Sequence, residues 1–187
     1  MEHRSFICVF PPAEATNTLL NLQNSIKHLS RNVRWEKKEK FHFTLQFFGN
    51  QSEEWLHQVH DALHAQCESI ESFPIAISKI GCFPNRYSPK IFWAGSEISE
   101  NERLVSLAGQ VQTITQQYGL QPEKKPFHPH ITIGRGKGKI HPDLIKSLET
   151  VTFHPVVFPC ARLQIMKSVL AESGSTYSTL FTIPLKP

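Results

Sequence analysis

Two short segments of the sequence carry the same pair of side chains, and that pair can act on a phosphate group. The segments are His42-Phe43-Thr44 and His130-Ile131-Thr132. An imidazole can give or take a proton near neutral pH because its usual pKa is about 6.5. A threonine hydroxyl can donate a hydrogen bond to a phosphate oxygen. The repeated pair therefore indicates acid–base chemistry on an anion, although one such motif alone would be commonplace.

Both motifs lie in apolar stretches that end at a glycine and that predict β-strands. Because side chains alternate across a strand, each histidine shares a face with the threonine two positions later. In the first strand this alternation also predicts Gln46 on the histidine face, opposite the residues Phe41, Phe43, Leu45 and Phe47. In the second strand it places Arg135 on the face opposite His130. Arg135 can then reach a shared site only if the strand twists or ends after Gly134.

The rest of the chain predicts an α+β fold with largely antiparallel sheets, because several strand-like segments follow one another without a helix between them. The predicted helices span 13–29, a segment that starts at the Ser52 cap, and 100–118. The predicted strands span 6–10, 41–48, 74–80, 90–95, 126–135, 151–158, 162–169 and 176–184. The segments 31–40 and 81–89 are polar or rich in turn residues and are expected to be loops. The two histidine strands indicate a weak internal duplication.

Composition and charge set limits on the class of protein. The 187 residues are 40% hydrophobic and carry a formal net charge of +4, which suits a globular domain and is compatible with a phosphate-bearing ligand. The four cysteines, Cys8, Cys67, Cys82 and Cys160, form no Cys-x-x-Cys pair and predict a reducing compartment. No apolar run approaches the roughly 20 residues that a membrane span needs. We therefore expect a cytoplasmic protein without a membrane segment.

The histidine-rich segments also allow a metal-site interpretation. His57, His60 and His64 recur at helical spacing, and His128 with His130 forms a His-x-His pair. However, no cysteine or carboxylate ligand set accompanies the helical histidines, and a structural zinc ion normally has four protein ligands. This interpretation would also leave the His42 motif unexplained, so we expect no metal ion.

The chain resembles the two-histidine phosphoesterases, and most closely the RNA 2',3'-cyclic phosphodiesterase family, also called 2'-5' RNA ligase. The resemblance runs from Phe6 to about Phe181 and is carried by FICVFPP, RWEKKEKFHFTLQFFGN, IFWAG and KPFHPHITIGR. Its most specific part is the pair of His-x-Thr motifs. The resemblance implies a bilobal α+β fold, with residues 1–187 as a single domain. Two lobes related by a pseudo-twofold axis would form a central cleft, with the helices packed outside.

The resemblance further implies metal-independent hydrolysis of RNA 2',3'-cyclic phosphate ends to 2'-phosphomonoesters, with reversible ATP-independent 2'-5' ligation as a related activity. It assigns His42 as the proton donor and His130 as the proton acceptor, an assignment that the residues alone do not distinguish from its reverse. Thr44 and Thr132 would bind the phosphate oxygens, and Arg135 would add a further phosphate contact. No cofactor and no obligate protein partner are implied. A monomer is expected because one chain supplies both motifs.

Two other functions remain open from the sequence. The same motifs would serve a phosphodiesterase that acts on a small nucleotide, such as a 2'-5' oligoadenylate, or a non-catalytic RNA-end binding module. Two further groups of residues bear on RNA binding. The lysines Lys37, Lys38, Lys40, Lys124 and Lys125 precede the two motifs and could attract a phosphate backbone, although most are expected to be solvated loop residues. Phe92 or Trp93 could stack on a base, with at least one of them in the core.

Overall fold

In the computed structural model, which describes residues 1–171 and 174–187, strands and helices follow one another in an α+β order. The four α-helices among these residues are α1 (Ala13–Ile26), α2 (Glu53–Cys67), α3 (Glu102–Gln117) and α4 (Pro142–Thr150). The strands are β1 (Glu2–Val9), β2 (Val33–Trp35), β3 (Phe43–Ser52), β4 (Phe73–Ile77), β5 (Lys79–Phe83), β6 (Ile91–Gly95), β7 (His130–Gly136), β8 (Val156–Cys160), β9 (Arg162–Ala171) and β10 (Gly174–Pro184).

One eight-stranded sheet holds the molecule together. Its strand order is β10-β9-β1-β3-β7-β6-β5, with β2 paired to β7, while β4 and β8 form a separate pair. Every ladder between these described strands is antiparallel. The two histidine strands, β3 and β7, are neighbours at the centre, and each has its own flanking strands on the outer side. The α+β, pseudo-twofold and largely antiparallel architecture is thus confirmed. The treatment of residues 1–187 as one bilobal domain stays a prediction.

The two faces of the central sheet bury different sets of side chains. On β1, Ile7 and Val9 join the main core, which also contains the apolar faces of the helices. Phe6 and Cys8 point the other way and form a small second cluster with Met166. The helices therefore cover one face, and the opposite face is left for a cleft lined by strands. This arrangement also explains why five consecutive residues of β1 are buried.

Several element boundaries differ from those that the sequence predicts. The predicted strand 74–80 is two strands, β4 and β5, so the first residues of the expected 81–89 loop belong to β5. The short strand β2 lies in the segment 31–40 that was expected to be a loop. The first four residues of the predicted strand 126–135 are not strand, and β7 begins at His130. Helix α4 was missed, although Pro142 at its first turn and the capping side chain of His141 are ordinary helix-start signals.

Two further expectations concern the thiols and the membrane. All four cysteines lie among the described residues and are free, with Cys8, Cys67 and Cys160 buried. Burial raises the pKa of Cys160 to about 12 and that of Cys67 to about 11. Within the described part of the chain, no helix is long and apolar enough to cross a bilayer.

Candidate active site

A cavity of about 980 Å³ opens on the strand-lined face of the central sheet. Its walls include all five residues expected from the sequence: His42, Thr44, His130, Thr132 and Arg135. A volume of this size suits a nucleotide-sized ligand. The structure therefore brings the two histidine motifs together on one surface, although they come from opposite halves of the chain.

The register between β3 and β7 explains how the motifs meet. Phe43 pairs with Ile131, and both side chains point into the main core. Extending this antiparallel register by one residue in each direction places His42 opposite Thr132 and Thr44 opposite His130. In a regular ladder such diagonal neighbours as the two histidines have Cα atoms roughly 7–8 Å apart. The pseudo-twofold axis passes through the Phe43–Ile131 pair, so each imidazole lies beside the threonine of the other motif.

Both imidazoles are held by the same backbone contact. The Nδ1 of His42 donates to the carbonyl oxygen of Lys40 at 2.7 Å, and the Nδ1 of His130 donates to the carbonyl oxygen of His128 at 2.7 Å. A carbonyl can only accept, so Nδ1 carries the proton in both rings. Each neutral ring therefore keeps an unprotonated Nε2, which is the atom available for proton transfer with a ligand.

Aromatic side chains fix the planes of the two rings. The His42 ring stacks on Phe6 with centroids 5.0 Å apart, and Tyr177 meets its edge at 5.5 Å. The His130 ring is perpendicular to Phe83, with centroids 5.1 Å apart. These contacts leave each imidazole only partly exposed. The rings are consequently placed by packing as well as by hydrogen bonding.

Burial favours the neutral form of both rings. It lowers the pKa of His42 from its usual 6.5 to about 4, and the positive charges of His130 and Arg135 act in the same direction. The hydrogen bond to the Lys40 carbonyl opposes this shift. Burial likewise lowers the pKa of His130; the hydrogen bond to the His128 carbonyl opposes this shift, and the positive charges of His128 and Arg135 add smaller lowering contributions. Both rings are thus neutral at pH 7 when no anion lies between them.

These lowered pKa values predict a loss of stability in mild acid. Between pH 6.5 and about 4 the unfolded chain binds a proton at His42 that the folded chain does not, so acidification through this range favours unfolding. Replacement of His42 by glutamine removes that proton and is expected to flatten the decline. Urea midpoints measured from pH 7.5 to pH 4 test this, with the exposed His154→Gln as the control. Equal slopes for wild type and His42→Gln would contradict it.

The placement of Arg135 corrects the expectation from simple strand alternation. Phe92 of β6 pairs with Gly134, whereas its neighbour Trp93 pairs with Thr132, so Ile133 is an extra residue in β7. Such a bulge reverses the alternation beyond it. Arg135 pairs with Ile91 and lines the cavity on the same face as His130. The strand therefore delivers the arginine to the cleft without ending early.

A matching bulge in β3 makes the expectation for Gln46 wrong. Cys8 pairs with Thr44 and Ile7 with Gln46, so Leu45 is the extra residue. Gln46 is buried, and its side-chain carbonyl accepts a hydrogen bond from Thr115 of α3 at 2.9 Å.

Phe47 takes the place on the cleft face that alternation assigned to Gln46, and it is 60% exposed. Phe47 and Arg135 occupy equivalent positions, each five residues after the histidine of its motif. The site is therefore symmetric in its histidines and threonines but has an aromatic ring at one end and a cation at the other.

Arg135 is held in place by residues that the sequence did not single out. Its Nε donates to the carboxylate of Glu36 at 2.9 Å, which leaves the terminal nitrogens of the guanidinium for a ligand. The amide of Gln23 in α1 donates to the carbonyl oxygens of Glu36 and of the bulged Ile133, at 2.7 and 2.8 Å. Glu36 lies within a run of charged residues, so only the folded chain distinguishes it from its neighbours.

The cavity is lined by more basic than acidic side chains. The basic residues are Arg4, Arg34, Lys40, Lys90, Lys125 and Arg135, and the acidic residues are Glu36 and Glu123. Of the five lysines noted in the sequence, Lys40 and Lys125 line this cavity. Lys37, Lys38 and Lys124 do not, as expected for solvated loop residues. The excess of positive charge favours an anionic ligand.

The structure does not place Phe92 or Trp93 where either could stack on a base in the cavity. Both are buried, and Trp93 packs on Phe83. The aromatic rings that line the cavity belong to Phe47, Phe83, Phe127 and Tyr177, together with the buried Phe6. The expectation that at least one of the pair lies in the core is confirmed for both.

The helical histidines take part in packing contacts. His57 and His60 contact the ring of Phe181, with His60 stacked at 4.5 Å, and the Nδ1 of His60 lies 2.9 Å from the carboxylate of Asp61. His128 does line the cavity, as its position two residues before His130 predicts. Within the described residues, no three His, Cys, Asp or Glu side chains are grouped so that they could hold a metal ion.

Comparison with protein-family models decides the family. The model described as LigT-like phosphoesterase matches residues 9–93 and 97–177, which include both His-x-Thr motifs. The chain belongs to the LigT-like phosphoesterase family. This assignment confirms the two-histidine phosphoesterase resemblance and makes the protein an enzyme of the hydrolase class.

Several proteins from other organisms are similar to this LigT-like phosphoesterase over most of its length. An RNA 2',3'-cyclic phosphodiesterase of Thermotoga maritima is 28% identical over 95% of this chain and 93% of its own length. One from Aeropyrum pernix is 30% identical over 88% of this chain and 93% of its own. Among solved structures, a Thermus thermophilus protein superimposes with a TM-score of 0.79 and 26% identity, covering 98% of both chains.

Proposed function

We propose that this chain hydrolyses RNA 2',3'-cyclic phosphate ends to 2'-phosphomonoesters without a metal ion, with His42 as the proton donor and His130 as the proton acceptor. The observation that carries the proposal is that both imidazoles line one cavity while each Nδ1 is engaged by a backbone carbonyl. Two unprotonated Nε2 atoms then face the same ligand. The relatives named above as RNA 2',3'-cyclic phosphodiesterases support the choice of substrate.

In the proposed reaction, water attacks phosphorus and gives a proton to Nε2 of His130. The bond between phosphorus and the 3' oxygen breaks, and the departing oxygen takes a proton from Nε2 of His42. The five-membered cyclic diester is strained, which makes phosphorus attackable without Lewis-acid assistance. A positioned acid or base typically accelerates such a step by about 10²- to 10⁴-fold.

Thr44, Thr132 and Arg135 are proposed to bind the non-bridging phosphate oxygens. Both hydroxyls line the cavity, and neither donates a hydrogen bond to another residue in the described part of the chain. The guanidinium of Arg135 keeps donors free because Glu36 engages only its Nε. Donors that are already aimed at the phosphate stabilise the charge that builds up in the transition state without further reorganisation.

Binding of the phosphodiester would itself favour the protonated form of His42, which is the form that donates a proton. In the empty cavity the pKa of His42 is about 4, and the nearby positive charges contribute to that low value. An anion placed between the imidazoles acts in the opposite direction and favours the protonated ring. Proton donation by His42 is therefore coupled to substrate binding.

Reversal of the same steps would join RNA ends. A 5'-hydroxyl in place of water would form a 2'-5' linkage, with no ATP required. We further propose a monomer, because one chain lines the cavity with both histidines, and a cytoplasmic location, because all four cysteines are free thiols.

A short RNA that ends in a 2',3'-cyclic phosphate tests the proposed reaction directly. We expect turnover to a 2'-phosphate end, and we expect EDTA to leave the rate unchanged because no step uses a metal ion. The position of the product phosphate is mapped by phosphorus NMR against authentic 2'- and 3'-phosphate ends. A 3'-phosphate product would contradict the assigned roles of His42 and His130. Loss of activity in EDTA that is restored by a divalent cation would contradict the metal-independent mechanism.

A further inference from the structure

Basic residues at and beyond the rim of the cavity are concentrated at one edge of the sheet, next to Arg135. Arg31, Lys90, Lys137 and Lys139 are all exposed, and none forms a salt bridge with a described acidic residue. We call these four residues the basic track. Four such cations at one edge of the sheet favour an anionic ligand there.

Backbone hydrogen bonds hold the members of the basic track side by side. Lys137 N donates to the carbonyl oxygen of Asn32 at 2.8 Å, and the Asn32 side-chain amide donates to the carbonyl oxygen of Lys139 at 2.7 Å. Gly136 N donates to the carbonyl oxygen of Lys90 at 2.9 Å. Arg31 is adjacent to Asn32 in the chain. The four basic residues therefore lie where β7 ends and where β2 and β6 begin.

The basic track is continuous with the cavity. Lys90 lines the cavity and also belongs to the track, and Arg34 of β2 lines the cavity while pairing with Arg135. From His130 to Lys137 the chain advances by seven residues, roughly 20 Å for an extended strand. A ligand much longer than one nucleotide is needed to contact both ends.

An exposed aromatic ring stands beside the basic track. Tyr87 is 99% exposed in the loop between Phe83 and Lys90, both of which line the cavity. The side chain of Asn85 accepts hydrogen bonds from the backbone of Tyr87 at 3.0 Å, and Arg86 forms a salt bridge with Glu149 of α4. These contacts hold the backbone of the loop, and the exposed ring of Tyr87 offers a surface on which a nucleobase can stack.

We infer that the basic track and Tyr87 bind the single-stranded RNA that precedes the cyclic phosphate end, so that the enzyme prefers a polynucleotide over a mononucleotide. This inference rests on the proposed function for the nature of the end group. Cations contact the phosphates, and the aromatic ring contacts a base, which is the usual combination in single-strand binding. The two ends of the cavity, marked by Phe47 and by Arg135, then have different roles. The basic end receives the preceding chain.

The test compares two substrates in one set of variants. The substrates are adenosine 2',3'-cyclic phosphate and an RNA octamer that ends in a 2',3'-cyclic phosphate. The track variant is Lys137→Ala with Lys139→Ala. The control is Arg162→Ala with Lys186→Ala, which removes the same charge from exposed residues that do not line the cavity. Arg162 is the first residue of β9, which is three strands from β7 in the sheet order.

For the octamer we expect the track variant to lose about tenfold in kcat/KM relative to the control, with the value for the mononucleotide unchanged. The slope of log(kcat/KM) against log salt should fall by about 1.4, the amount expected for two lost phosphate contacts on a single strand. Tyr87→Ala should also lower kcat/KM for the octamer and leave the value for the mononucleotide unchanged. Equal values for track and control variants on the octamer, or equal losses on both substrates, overturn the inference.

Binding of an octamer that ends in a 2'-phosphate, followed by fluorescence anisotropy, keeps the inference testable apart from turnover. The track variant should bind this RNA about tenfold more weakly than the control, with a smaller salt dependence. Equal affinities of the track variant and the control would overturn the inference that the basic track binds RNA. A wild-type protein that binds the RNA through the track but hydrolyses no cyclic phosphate would instead contradict the proposed function.

Discussion

Alanine at His42 or at His130 is expected to lower kcat for a 2',3'-cyclic phosphate RNA by about 10²- to 10⁴-fold, because in the proposed reaction each imidazole transfers a proton in the transition state. The fold should survive, since both rings lie at the cavity wall and the neighbouring core residues Phe43 and Ile131 are untouched. The measurement is kcat under saturating substrate, with circular dichroism to verify folding. His154→Ala, an exposed histidine away from the cavity lining, is the matched control.

The double variant His42→Ala with His130→Ala distinguishes joint action from independent roles. Groups that act in one step are not additive, so the double variant should be little slower than the slower single variant. Losses that multiply would indicate that the two histidines serve separate steps. Retention of wild-type kcat by either single variant would contradict the proposed catalysis.

Removal of the Arg135 side chain is expected to have the next largest effect. Arg135→Ala takes away a cation that the β7 bulge directs into the cavity, and loss of one such aimed donor typically costs about 10²- to 10³-fold in rate. Arg135→Lys should recover only part of this, since an ammonium lacks the second, fork-like donor pair. Steady-state kinetics on the RNA substrate measure both variants.

Arg162→Ala serves as the control for the loss of an exposed arginine elsewhere. Glu36→Gln should fall between wild type and Arg135→Ala, because the carboxylate orients the guanidinium without contacting the substrate itself. An Arg135→Ala enzyme with unchanged kcat/KM would show that the arginine only completes the ion pair with Glu36.

The apolar pattern of the two motifs was enough to predict which strands matter. In both of them the core residues Phe43, Ile131 and Ile133 are fully buried, and His42 and His130 lie on the other face. The alternation of a strand and the repeat of the motif contain this information. The α+β fold with largely antiparallel sheets was predicted from strand segments that follow one another in the sequence without a helix between them.

The bulges could not be predicted because their extra residues, Leu45 and Ile133, are ordinary strand formers. Nothing in their residue type distinguishes an extra residue from a regular one. The pairing with the neighbouring strand determines where the bulge lies. One inserted residue moved Arg135 into the cleft, and the other turned the side chain of Gln46 toward α3. Two short elements, β2 and α4, were also not predicted. The three residues of β2 carry too little periodicity, although the start signals of α4 were present.

A crystal structure with adenosine 2'-monophosphate, the expected product end, tests most directly whether two imidazoles act on one phosphate. The account predicts phosphate oxygens within about 2.6–3.2 Å of Nε2 of both His42 and His130, with each Nδ1 still bonded to its backbone carbonyl. A phosphate bound to only one of the two rings, or bound outside the cavity with both rings unoccupied, would contradict it.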